Sequence, residues 1–245
     1  MVMPLYDDNP FRLPHRPVVT WSLIGLNLLV FLMEISADAD LMVARYGVTP
    51  AAFIGDGTVP GALSPVLTLV TYQFLHADAG HIFGNMIFLW VFGDDIEEAL
   101  GRTRFFIFYI LSGALAALAY IASNAHSEIP LIGASGAIAG IVVAYVMLRP
   151  CAKVTVLLWL IPLRIAAYWV VGGFAATQFI HLGSASKSDV AYWCHVGGMA
   201  AGGVLLLLMR PAGLRLFECI RVPKLPESSD SPAVLGGARG GWHPP

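Results

Sequence analysis

Long blocks of apolar residues, separated by short charged or Pro/Gly-rich segments, constrain this chain most. Hydrophobic residues make up 57% of the sequence and charged residues only 12%, against about 25% charged in an ordinary soluble domain. Too few charged residues are present to cover a soluble fold of this length. A lipid bilayer accommodates such blocks when each folds as a helix that makes its own backbone hydrogen bonds. The sequence therefore predicts a single-domain, all-α membrane protein.

Six apolar segments are candidate membrane spans. They cover about residues 18–35, 81–92, 105–122, 135–148, a stretch within 157–180 that begins near Pro162, and 195–209. Residues 1–17 form a polar N-terminal arm, and no small-residue cleavage site follows the first span, which predicts a retained span and not a signal peptide. Residues 210–245 form a C-terminal tail, whose Pro-, Gly- and Ser-rich part after Arg221 is predicted to be disordered.

Lysine and arginine residues are concentrated in one set of loops. Most flank the spans on the side that holds both termini, whereas the loops on the other side contain only Arg45 and Lys187. The positive-inside rule therefore predicts that both termini are cytoplasmic. The short N-terminus gives no sign of organelle targeting, so we expect a multi-pass protein of a bacterial inner membrane.

Spans two, four and six are short. They offer about 12 to 15 residues, roughly 20 Å of helix, against about 30 Å of hydrocarbon core. If their cytoplasmic ends reach the inner interface, their first residues lie at one level, roughly 10 Å below the outer surface. Those residues are His81, Ser135 and His195. Because polar groups at this depth usually line an enclosed cavity, the sequence predicts a recessed, hydrated pocket.

Ser135 lies between Gly133-Ala134 and Gly136, at the predicted start of span four. A helix N-terminus presents unpaired N–H groups and the positive end of the helix dipole, which suits a developing oxyanion. The flanking glycines, Gly133 and Gly136, let backbone and substrate approach closely. The alternative is a serine that only caps the helix, with Gly136 and Gly140 forming a packing face.

His195 opens span six and precedes Gly198-x-x-x-Gly202, a spacing that lets two membrane helices pack closely. Gly136-x-x-x-Gly140 offers the matching face on span four. If these faces pack with their starts level, His195 comes within hydrogen-bond reach of Ser135. The imidazole could then take the serine proton, which a serine nucleophile requires. The alternative is an interfacial histidine without a chemical role.

His81 and Asn85 lie one helical turn apart on one face of span two. Both can donate hydrogen bonds, so with the Ser135 N–H they could stabilise an oxyanion. The alternative is that they bond neighbouring helices, as His and Asn often do in membranes. His76, just before this span, is interpreted as structural, bonding loop backbone.

The acidic turn that follows span two is interpreted as structural. It contains Asp94, Asp95, Glu97 and Glu98. We expect ion pairs from this turn to Arg102 and Arg104, with Glu97 or Glu98 buried against neighbouring helices.

Other kinds of site fit the sequence less well. The cysteines, Cys151, Cys194 and Cys219, are too few and too irregularly spaced for a disulfide framework or a metal site, and are interpreted as buried apolar residues. A Cys194–His195 pair is disfavoured because helical neighbours point about 100° apart. No H-E-x-x-H motif occurs, so no metal or other cofactor is predicted. No basic patch interleaved with aromatic residues indicates nucleic-acid binding.

Taken together, these motifs resemble prokaryotic rhomboid proteases from about Met3 to Met209. The shared pieces, in order, include FLHADAGHIFGNMIFLWVFGDDIEEALGRTRFFIFY, GASGAIAG and WCHVGGMAAG. The resemblance implies a six-transmembrane-helix rhomboid-like bundle and a Ser–His dyad without an acidic third member. It assigns Ser135 as nucleophile, His195 as general base, and His81 and Asn85 as oxyanion-stabilising residues.

The resemblance also implies the activity and the partners. A cofactor-free serine endopeptidase would cut transmembrane helices of other membrane proteins in the lipid bilayer, with residues 36–80 as a membrane-embedded first loop and span five as a lateral gate. A non-catalytic rhomboid-like chaperone or adaptor that binds client helices is the alternative. A small-solute transporter fits less well, because intramembrane charges and paired repeats are missing. The oligomeric state is not indicated.

Two departures from the family pattern bear on the site. Ala139 stands four residues after Ser135, where many relatives carry an aromatic ring that stacks on the histidine. The first loop also lacks a Trp-Arg pair found in some bacterial members. We therefore expect His195 to be held by packing from span six alone.

Overall fold

The computed structural model describes residues 2–8, 16–56, 61–159, 161–182 and 191–219. Their helices are α1 (Val18–Ser36), α2 (Ala39–Tyr46), α3 (Pro50–Phe53), α4 (Pro65–Thr71), α5 (Ala79–Leu100), α6 (Arg102–Ser123), α7 (Ser135–Leu148), α8 (Ala167–Leu182) and α9 (Tyr192–Met209), and the strands are β1 (Val2–Asp7), β2 (Lys153–Leu158) and β3 (Ile161–Ala166). A short 3₁₀ turn, Tyr72–Phe74, follows α4. Lys187 and Arg221, which the predictions of orientation and of a disordered tail use, lie outside the described ranges.

Three of the described helices are long and apolar enough to cross a membrane. They are α1, α6 and α9, with 19, 22 and 18 residues and mean hydropathies of 2.0, 2.1 and 1.5. Helix α7 is also apolar but has only 14 residues. The predicted membrane-embedded helical protein is thus supported, whereas the predicted count of six spans stays a prediction.

Two helix boundaries decide where the polar residues lie. Helix α5 begins at Ala79, two residues before the predicted start at His81, and continues through the acidic turn to Leu100. Helix α9 begins at Tyr192, three residues earlier than expected, so His195 lies within its first turn and not at its start. Ser135 begins its helix as expected, and the common membrane depth of the three residues stays a prediction.

A three-stranded antiparallel sheet, in the order β1-β2-β3, interrupts the predicted all-α architecture. Strand β1 comes from the N-terminal arm and pairs with β2, with Met3 opposite Leu157. The predicted start of the fifth span near Pro162 is wrong, because Ile161–Ala166 form β3 and the helix begins only at Ala167. A short apolar run cannot be assigned to strand or helix by periodicity alone. Pro162 is tolerated because β3 is an edge strand.

Glycines bring α7 and α9 into backbone contact. A Cβ added to Gly198 would lie 2.1 Å from the carbonyl oxygen of Gly136, and one added to Gly202 would lie 2.3 Å from the Cα of Gly140. The predicted packing of the two Gly-x-x-x-Gly faces is confirmed. Since no larger residue fits at these contacts, the glycines determine how closely the two helices approach.

The acidic turn anchors α1. Glu97 is fully buried, and its carboxylate accepts hydrogen bonds from the backbone N–H groups of Val19 and Thr20 at 3.0 and 2.7 Å, and from the Thr20 hydroxyl at 2.9 Å. Arg102 Nε lies 4.0 Å from Glu97 Oε1. These bonds satisfy N–H groups that a helix start otherwise leaves unpaired. The expected burial of Glu97 and its pairing with Arg102 are confirmed, while a pair with Arg104 stays a prediction.

The residues after α9 fold back onto the end of α7. Cys219 forms a disulfide with Cys151, with their Cα atoms 5.0 Å apart, and the Phe217 N–H donates to the Met147 carbonyl at 2.7 Å. The interpretation of these two cysteines as buried apolar residues was wrong. They lie 68 residues apart in the sequence, and nothing in that spacing indicates that the chain reverses and brings them together. Cys194 is free and buried, as expected. Disorder predicted for the tail concerns mainly residues 220–245, which lie outside the described residues.

Candidate active site

Ser135 and His195 form the centre of the candidate site. Ser135 is the first residue of α7, and its Oγ lies 2.8 Å from Nε2 of His195 on α9. The predicted proximity is confirmed. Ala134, not Ser135, occupies the N-cap position of α7. The capping interpretation of the serine is therefore not supported, and its hydroxyl is bonded to a potential base.

Gly133 packs directly against the His81 ring beside this pair. Its φ is +116°, in a region that favours glycine, and its N–H donates to the Tyr72 carbonyl at 2.9 Å. A Cβ added there would lie 2.8 Å from His81 Cε1, 2.9 Å from His81 Nε2 and 3.8 Å from Ser135 Oγ. A side chain at this position would clash with the His81 ring, so the glycine allows that ring to lie beside Ser135.

Asp78 is the N-cap of α5 and bonds the first turn of that helix. The Asp78 carboxylate accepts from the His81 N–H at 2.8 Å, and this bond holds the pKa of Asp78 below its usual value. The His81 ring also meets the ring of His76 edge to face, with centroids 5.1 Å apart. Capping and ring packing together hold His81 beside Gly133.

Asn85 is buried one turn further along α5. Among the described residues its amide nitrogen has no hydrogen-bond partner, although the residue is only 6% exposed. A buried donor left unpaired costs about 1–3 kcal/mol. The interpretation that Asn85 bonds a neighbouring helix is therefore not supported for this amide nitrogen, and its oxyanion role stays a prediction.

His76 is held in the loop that leads into α5. It is 2% exposed, and its backbone N–H donates to both carboxylate oxygens of Glu34 on α1, at 3.1 and 3.3 Å. The interpretation that His76 bonds loop backbone is not supported for its ring, because neither ring nitrogen has a hydrogen-bond partner among the described residues. The carboxylate partner of its backbone was missed, and the expectation that the spans carry no charge was wrong at Glu34.

Helix α8 supplies further contacts to His195 that were missed. Gln178 Oε1 lies 2.7 Å from His195 Nδ1, and the ring centroid of Phe174 lies 6.1 Å from that of His195. The expectation that His195 is held by span six alone was therefore wrong. Ala139 is buried, and an aromatic ring instead approaches the histidine from α8. A glutamine in an apolar helix could have indicated this contact.

Comparison with known proteins points to one family. A Rhomboid domain family model matches residues 64–212. The chain is 24% identical over 213 residues to "Rhomboid protein 1, mitochondrial" of Saccharomyces cerevisiae, covering 81% of this chain and 58% of that protein. It is 33% identical over 129 residues to "Rhomboid protease GluP" of Bacillus subtilis, covering 51% of this chain and 23% of that protein.

A plant protein matches as well. "RHOMBOID-like protein 12, mitochondrial" of Arabidopsis thaliana is 28% identical over 166 residues, which cover 60% of this chain and 48% of that protein. The chain thus spans between about a quarter and three-fifths of the length of these relatives. The family model covers more than half of this chain, from the residue before α4 to just past the end of α9. The chain therefore belongs to the rhomboid family of multi-pass membrane proteins.

Proposed function

We propose that this chain is an intramembrane serine endopeptidase. The observation that carries the proposal is the 2.8 Å contact between Ser135 Oγ and His195 Nε2 at the N-terminus of an apolar helix. A serine hydroxyl becomes a competent nucleophile when a neutral imidazole at this distance can take its proton. Membership of a family that includes a relative named as a protease supports the same activity.

The reaction would proceed through an acyl-enzyme. Ser135 Oγ attacks the substrate carbonyl carbon while His195 Nε2 takes the hydroxyl proton. The oxyanion then accepts hydrogen bonds from His81, Asn85 and the Ser135 N–H. His195 protonates the departing amine, which breaks the peptide bond, and the same residue activates the water that hydrolyses the ester. No cofactor takes part in this sequence.

The substrates would be transmembrane helices of other membrane proteins. Peptide bonds within a helix are shielded, so a substrate needs residues that unwind it locally. We further propose a bacterial inner membrane as the location. The concentration of basic residues in one set of loops supports cytoplasmic termini.

Cleavage of a model single-span protein in liposomes tests this function. Wild type should yield a cut product, while Ser135→Ala and His195→Ala should reduce cleavage to background. Ser123→Ala is the matched control, because that exposed hydroxyl donates to carbonyl groups of its own helix and accepts from the neighbouring Asn124 amide. Substrate bound by wild type without cleavage, and no labelling of Ser135 by a fluorophosphonate, would instead favour the chaperone or adaptor alternative.

A further inference from the structure

Gln178 is a buried polar residue on a helix whose other residues are mostly accessible. Only three residues of α8 are buried, namely Ala167, Val171 and Gln178, and Gln178 is 5% exposed. Burying an amide is costly unless each polar atom finds a partner. Both ends of this amide have partners, and the identities of those partners determine its orientation.

The amide nitrogen of Gln178 faces its own helix. It lies 3.2 Å from the carbonyl oxygen of Phe174 and 3.0 Å from Thr177 Oγ1. A carbonyl oxygen can only accept, so the group that faces it must be the NH₂ end of the amide. Thr177 donates its own hydroxyl proton to the same carbonyl at 2.6 Å, which leaves its oxygen free to accept from Gln178. The amide oxygen is thereby directed toward His195.

The orientation of this amide determines the tautomer of His195. Gln178 Oε1 can only accept, and it lies 2.7 Å from Nδ1 of the imidazole. Nδ1 must therefore carry the proton. A neutral imidazole holds one proton, so Nε2 then has a free lone pair. That lone pair faces the Ser135 hydroxyl at 2.8 Å, which is the arrangement that a general base requires.

We propose that Gln178 is a positioning residue for the Ser135–His195 pair. It keeps neutral His195 in the tautomer protonated at Nδ1, and it continues to accept from Nδ1 when the ring becomes cationic after serine attack. This inference rests on the proposed protease function for its kinetic consequences, whereas the tautomer itself can be measured without activity. Because Gln178 lies on α8, the position of that helix affects which ring nitrogen of His195, on α9, carries the proton.

Nitrogen-15 NMR of the histidine rings tests the tautomer directly. Protein labelled at histidine is compared as wild type, Gln178→Met and His195→Asn, the last of which identifies the His195 signals by their loss. Wild type should show Nδ1 protonated and Nε2 unprotonated. Gln178→Met has a similar volume but no acceptor, so it should show a changed or mixed tautomer. A wild-type proton on Nε2, or the same tautomer in Gln178→Met, would overturn the inference.

Kinetics give a second readout. Gln178→Met should lower kcat about 10- to 100-fold with little change in KM, because the lost bond is strongest when the imidazole is charged. Phe179→Met is the matched control, since that side chain on α8 is 59% exposed. Equal kcat in Gln178→Met and the control would contradict a positioning role. An inactive wild type would refute the proposed function, while the NMR result would still decide the tautomer.

Discussion

Replacing Gly198 by alanine would insert a methyl group into the contact between α7 and α9. The new Cβ would lie 2.1 Å from the Gly136 carbonyl oxygen, whereas ordinary contact begins at 3.4 Å. The helices must therefore separate by up to about 1.3 Å at this level, since 3.4 minus 2.1 is 1.3 and backbone atoms cannot rotate aside. The Ser135–His195 pair lies close to this contact on the same two helices.

We expect Gly198→Ala to reduce cleavage about 100-fold, the effect typical of misplacing reacting groups by about 1 Å. The cost in stability should be about 1–3 kcal/mol, as for other overpacked sites. Gly203→Ala is the matched control on the same helix, because its Cβ would make ordinary contacts with Met147 Sδ at 3.5 Å and Val143 Cγ1 at 3.7 Å. The assay is cleavage of a model substrate in liposomes, with thermal unfolding and fluorophosphonate labelling of Ser135 measured in parallel.

Equal cleavage rates and melting temperatures for the two alanine variants would refute this reasoning. Such a result would mean that the helices can adjust without moving Ser135 from His195. Slower cleavage in Gly198→Ala with unchanged labelling would also count against it, because the probe reports the same serine–base geometry.

Two further predictions concern the oxyanion donor and the membrane orientation. Asn85→Ala should lower kcat about 100- to 1,000-fold, which is the usual effect of removing one oxyanion donor. The melting temperature should not fall, because the Asn85 amide nitrogen makes no hydrogen bond in the described structure. A melting temperature that falls together with kcat would indicate a structural role instead. In a cysteine-free variant, an impermeant maleimide applied to spheroplasts should label Glu128→Cys and spare Ala212→Cys, both at exposed positions. The reverse pattern would invert the predicted orientation.

The Cys151–Cys219 disulfide makes the orientation experiment more informative. Disulfides are rare in reducing cytoplasm, whereas the basic residues near this bond predict a cytoplasmic location. The labelling result decides between these two expectations.

Local patterns in the sequence were sufficient to predict most of the long apolar helices and the contact at the centre of the site. Apolar runs set the main helices, because a bilayer requires internally bonded backbone wherever the chain crosses it. Paired Gly-x-x-x-Gly motifs predicted that α7 and α9 meet, since small residues permit contact that larger ones prevent. From that contact the proximity of Ser135 and His195 followed, while their catalytic roles stay a prediction.

Only the tertiary structure decided the features that depend on contacts between residues far apart in the chain, or on which face a helix presents to its neighbour. The N-terminal arm becomes a strand only because β2, some 150 residues away in the chain, offers an edge for pairing. Cys151 and Cys219 meet because the chain reverses after α9. Gln178 is only 17 residues from His195, yet its contact depends on which face α8 presents to α9. The glutamine signals a polar contact of α8, but a mostly apolar helix leaves its rotation undetermined, so only packing could identify His195 as the partner.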